Sequence, residues 1–135
     1  MDKIRVLIVE PNKEPKQFKI EHNLRKIQEI VGGRIDIIEL DHNTDIIIND
    51  DGKINGLALN RVIPNDIIAG TFIVAGQHFG ETISLSRKQI KKYKKRFKLN
   101  NDNDIIEFVK GVVGNSSNLI GYNTNGIEKI IEFRV

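Results

Sequence analysis

Asn55, Asn60 and Arg61 place two carboxamides and a guanidinium beside the turn sequence Asp51-Gly52-Lys53. A guanidinium forks onto phosphate or carboxylate, and a carboxamide can read a base edge or a ribose. Further on, Gly70-Thr71-Phe72 offers a close backbone approach with a hydroxyl next to it. The segment Gln77-His78-Phe79-Gly80 sets an aromatic ring and an imidazole in a glycine-bounded loop, where Phe79 can stack on a base or cover a pocket. Residues 87–98 (RKQIKKYKKRFK) hold eight basic side chains and no acid. Arg87 and Lys88 fall in the first turn of the helix expected there, where the helix dipole disfavours cations by a few tenths of a kcal/mol. An anion held at that point would offset the cost. The candidate ligand-binding residues are therefore Asn55, Asn60, Arg61, Thr71, Phe79, Arg87 and Lys88.

Each has a plain structural alternative. Asn and Gly serve turns, and Arg61 can pair with an acid. Phe79 can tuck under a helix. The lysines of 87–98 can be a solvated face enriched by codon usage, since 24 Ile, 14 Asn and 14 Lys point to a low-GC genome. The net charge of +3 conceals a polarised chain. Without the basic segment, 13 basic residues stand against 18 acidic ones, a remainder of −5.

Other chemistries lack their residues. With no cysteine there is no disulfide framework, thiolate metal site or cysteine nucleophile. His22, His42 and His78 are scattered without metal-ligand spacing, and Asp50-Asp51-Gly52 lacks the later ligands of a calcium loop. There is no nucleophile elbow and no phosphate-binding G-x-x-x-x-G-K-[ST]. Carboxylate pairs can be drawn from Glu10, Glu39 and Asp41, but acids flanking strands are usually solvated. The reading is of a protein that is not an enzyme and needs no metal and no cofactor. No apolar run approaches the ~20 residues of a membrane span, and no signal peptide is evident, so the expected compartment is cytoplasmic.

The elements that must carry these residues follow from periodicity and punctuation. Residues 3–9 read as a buried strand, and 16–20 as its hairpin partner. Leu24, Ile27, Ile30 and Val31 have helical spacing, opened by Asn23 or His22 and closed by Gly32-Gly33. Strands follow at 34–40 and 45–49, with a tight turn at Asp50–Lys53 and a weak strand at 53–55. Residues 67–75 are the most apolar run and read as one strand, with Gly70 marking a bulge or a close backbone approach. Gly76–Gly80 reads as a loop. Ser86 and Gln89 fit a capping box for a helix to about Lys98, with Ile90, Tyr93 and Phe97 as its core stripe. A short helix at about 104–113 and a hairpin at 119–122 and 127–134 complete the chain. This order predicts an α+β fold: a mostly antiparallel twisted sheet with about three helices packed on it. Residues 1–98 form the expected core domain. Residues 99–135 form a C-terminal extension packing on the core or on a second copy.

Four ordered blocks carry a resemblance. They are Gln28–Ile35 (QEIVGGRI), Asp51–Arg61 (DGKINGLALNR), Asp66–Val74 (DIIAGTFIV), and Phe79 followed by Ser84-Leu85-Ser86 and Gln89–Tyr93 (QIKKY). Over about residues 3–97 the chain resembles an uncharacterised family of small domains frequent in phages, prophages and plasmids of low-GC bacteria. The resemblance implies a mobile-element setting and no particular activity. The chain departs from the pattern at Arg87 and Lys88, where acids are usual, and residues 99–135 lie outside it. Taken together, these features suggest a binding protein engaged in counter-defence. It would sequester a small anionic, nucleotide-derived ligand or mask a host protein, and pair as a homo-oligomer through the strand edges of the last hairpin, Leu119–Tyr122 and Ile127–Val135. The alternative is a nucleic-acid-binding or nucleic-acid-mimicking module.

Overall fold

The structure, a computed structural model, describes residues 2–64, 66–99, 105–107 and 110–111. The chain order is β1 (Lys3–Val9), β2 (Lys16–Glu21), α1 (Leu24–Val31), β3 (Ile35–Asp41), β4 (Thr44–Asn49), β5 (Leu59–Ile63), β6 (Asp66–Ala69), β7 (Phe72–His78), β8 (Glu81–Ile83) and α2 (Arg87–Arg96). Residues 105–107 and 110–111 are also helical. The main sheet has the strand order β2-β1-β7-β4-β3, with β8 paired to β7, and every pairing is antiparallel. β5 and β6 make a separate two-stranded ribbon. The fold is α+β, as the order of sequence signals predicts.

Side-chain alternation divides the sheet into two buried faces. On one, Ile4, Val6, Ile20, Ile47, Ile73 and Ala75 pack under Ile27 and Val31 of α1. On the other, Leu7, Val9, Ile46, Phe72 and Val74 pack against Leu85 and the α2 stripe Ile90, Tyr93 and Phe97, together with Ile63 and Ile68 of the ribbon. Burial on both sides explains why β1 and β7 read as continuous apolar runs instead of alternating ones. The Phe72 and Phe97 rings meet edge to face at 5.3 Å, locking the end of α2 to the start of β7.

Local signals set the helix ends. Asn23 accepts from the Lys26 N–H at 2.8 Å, and Gly32 closes α1 in the left-handed region at φ +86°. Ser86 and Gln89 form the reciprocal capping box of α2.

Three expectations need correction. The apolar run 67–75 is two strands, because Gly70 at φ +87° turns the chain between the ribbon and the main sheet. Its two halves look alike in sequence because both are buried. The Asp50–Lys53 turn does not close a hairpin, and 53–55 is not a strand. Successive turns run to Gly56, held by Asn55 N–H to the Asp51 carbonyl and Leu57 N–H to the Gly52 carbonyl, and carry the chain off β4 into the ribbon. Finally, Gly76–Gly80 is not an open loop. β7 continues to His78 and turns tightly into β8. The hairpin expected at 119–122 and 127–134 lies outside the described residues.

Candidate functional site

Asn60 and Arg61 sit where β5 passes the end of β1. Asn60 is only 3 % exposed. Its amide donates to the Val9 and Gly70 carbonyls, each at 2.9 Å, so one side chain ties the ribbon to the main sheet. Its side-chain oxygen accepts from the Arg61 guanidinium at 2.8 Å. The same guanidinium donates to the Phe97 carbonyl at 3.0 Å, closing the end of α2, and to the Lys13 carbonyl at 2.6 Å. These two side chains form an internal knot. Thr71 follows Gly70 beside it, half-buried. Asn55 is exposed on the turn that leads to β5.

Phe79, Arg87 and Lys88 belong to the opposite end of α2. β7 spans seven residues and carries the chain about 20 Å from Phe72 to His78. The Asn43 carbonyl accepts both the Gln77 N–H at 2.9 Å and the Gln89 side chain at 3.0 Å. The start of α2 and the far end of β7 therefore meet at the β3–β4 turn. Gln77 reinforces the junction by donating to the His42 carbonyl, and Gln89 by donating to the Thr44 hydroxyl. The predicted residues thus fall into two groups plus Asn55, not one constellation. Sequence showed Gln89 only as a capping residue. Its second role, and that of Gln77, depend on a long-range contact that no local spacing encodes.

The outer face of α2 is densely cationic. Arg87, Lys88, Lys91, Lys92, Lys94, Lys95, Arg96 and Lys98 are all exposed. Among the described residues, only Lys92 of these eight makes an ion pair, to Asp41 at 3.5 Å. Arg96 and Lys92 also lie over the Phe97 and Tyr93 rings, at 5.5 and 5.2 Å.

Asp41 fastens α2 from below. Burial opposes its ionisation. The Tyr93 hydroxyl, the Asn43 N–H, the Thr44 hydroxyl and the Lys92 ammonium outweigh that, and hold the carboxyl below its usual range. Burial and the bond to Asp41 push the Tyr93 phenol up. On the sheet's other face, burial and the nearby Glu39 and Asp41 push Asp45 up; Glu39 lies directly across the β3–β4 ladder.

The acids concentrate elsewhere. A cleft of about 210 Å³ is lined by Asp36, Asp50, Asp66 and Lys53 over Ile38 and Ile67. Lys53 pairs with Asp66, and Arg34 bridges Asp50 and Asp51 at 3.2 and 3.4 Å. Its carboxylates suit no anion. Among the described residues, no group of three or more His, Cys, Asp or Glu is placed to hold a metal ion, and no helix is long and apolar enough to cross a membrane.

These features define an α+β domain with one strongly cationic helix over a sheet. The chain belongs to the family described as Domain of unknown function (DUF3846), which matches residues 4–98. The matched segment ends at Lys98, with the last cation of α2's basic run. No curated protein and no solved structure matches the chain.

Proposed function

We propose that this domain is a non-enzymatic binding module that holds a polyanion, namely a nucleic-acid backbone, along the outer face of α2. One observation carries the reading: eight exposed cations on and just beyond a ten-residue helix, with one ion pair among them in the described residues. A helix that buries Ile90, Tyr93 and Phe97 must turn its other side to water, so the charges share one broad outer face. Such a face suits a phosphate backbone, in a sequence-independent, salt-sensitive mode. The −5 remainder of the chain would help orient the molecule with α2 toward the polyanion. Capture of a small nucleotide-derived anion has less support. Asn60 and Arg61 are turned onto backbone carbonyls, and the cleft is acidic. In the mobile-element setting implied by the sequence resemblance, such a module would serve counter-defence by occupying nucleic acid. Assembly through the edge strands β2 and β3 is a further proposal, read out by solution mass.

The test is anisotropy with labelled oligonucleotides over a salt series. The expected result is binding that weakens linearly in log salt. Changing Lys91, Lys92, Lys94 and Lys95 to Gln should flatten the slope by up to about 3. Retention unchanged in that variant would sink the proposal. A melting temperature raised by mononucleotide or cyclic nucleotide signals, with no oligonucleotide binding, would move the function to small-ligand capture.

A further inference from the structure

The apex of the β7–β8 hairpin departs from what its turn type demands. His78 and Glu81 are paired, and the two residues between them, Phe79 and Gly80, have φ of +48° and +80°. Two positive φ angles in a two-residue loop define a type I′ turn, whose first position normally takes Asn, Asp or Gly. A phenylalanine there is in a conformation that side chains with a Cβ rarely adopt. It also gains nothing from burial, since Phe79 is 94 % exposed. The strain and the exposed ring are both unfavourable for folding alone. The His78 ring meets Phe79 edge-on, with centroids 4.5 Å apart and planes at 65°, and braces it while leaving ring surface to solvent.

The place of this ring matters. The Asn43 carbonyl joins Gln77, two residues before Phe79, to Gln89, one residue after Lys88. The apex therefore stands at the head of the cationic face of α2. From Gly76, where β8 begins to pair, to Phe79 the chain rises about 10 Å. A projecting aromatic at the head of a cationic face is the pairing that single-strand binders use, with stacking on one base and charge along the backbone. A duplex keeps its bases stacked inside and offers Phe79 no free face.

We infer that Phe79 is a base-stacking residue, and that the ligand held along α2 is single-stranded nucleic acid. This rests on the polyanion reading of α2 and adds the ligand's strandedness and the residue that selects it.

The full chain is titrated with oligothymidine, oligouridine and a duplex of equal length, at matched salt. Either single strand should bind more tightly than the duplex. Phe79→Ala should weaken single-strand binding about tenfold, with an unchanged salt slope and unchanged duplex affinity. Phe79→Tyr should retain binding, because the ring face is kept. Circular dichroism of each variant should match the parent. Equal single-strand affinity for the parent and Phe79→Ala, or an equal loss on the duplex, would overturn the stacking role. In that case a salt-sensitive parent still stands as a polyanion binder. A parent that binds neither strands nor duplex at low salt would overturn both readings.

Discussion

The two ends of α2 use similar side chains in opposite ways. At its C-terminal end, Arg61 is wrapped in carbonyls from Phe97, Asn60 and Lys13, and the Asn60 amide is spent on Val9 and Gly70. At its N-terminal end, Arg87, Lys88 and Phe79 all face solvent. In sequence the first group looks as functional as the second. The difference is one of accounting for polar groups. A buried carbonyl without a donor costs about 1–3 kcal/mol, so a fold that places a ribbon against a sheet must supply donors at the seam. Exposed cations and an exposed ring satisfy no such need.

The largest effect should come from the inward end. Asn60→Ala removes the donor to two carbonyls and the acceptor of Arg61. It should cost about 2–5 kcal/mol, read as a fall in the urea midpoint. Oligonucleotide affinity of the fraction still folded should be unchanged. A stable Asn60→Ala variant with weakened binding would break the comparison, by making the knot part of the site.

Tyr93 lies between the two ends. Its hydroxyl donates to Asp41, which holds β3 under α2. Tyr93→Phe should cost about 1.5–3 kcal/mol near neutral pH. The sign with pH follows from the two shifts. The Asp41 carboxyl is lowered in the folded state, so its contribution is present above the ordinary value of 3.8 and is lost as pH falls through the folded value. The Tyr93 phenol is raised, so its ionisation at alkaline pH weighs against the fold. The stability gap between parent and variant should be widest between these limits and narrow on both sides. A gap independent of pH would show that packing, not the bond, is what Tyr93 contributes.

The elements were legible in the sequence because their signals are local. The Asn23 cap, the Gly32 stop, the Ser86–Gln89 box and the Ile90-Tyr93-Phe97 stripe each need only a few neighbouring residues. What failed was punctuation inside apolar stretches. Gly70 ends a strand where a bulge or a close approach within one strand was expected, since a buried run carries no alternation to show a change of sheet. The β7–β8 turn was hidden because Phe79 stands where a turn residue is expected. The site was legible only in residue type. That Asn60 and Arg61 point inward depends on carbonyls as distant as Val9 and Phe97, while the exposure of Phe79 follows from a hairpin the pattern did not show.

The smallest effect has the most informative sign. Arg87 and Lys88 occupy the first turn of α2, which holds no acid. There they oppose the helix dipole, and replacing both with Gln should stabilise the fold by about 0.3–1 kcal/mol. The capping box is untouched, since Ser86 and Gln89 remain. If the outward end of α2 is kept for a ligand, the same double variant should weaken oligonucleotide binding and reduce its salt slope by about 1–2. Paired thermal melts and titrations read both quantities. Gain in one and loss in the other would mark these cations as retained against the interest of stability. A gain in stability with full binding would make them a solvated surface, and would confine the interface to the later turns of the helix.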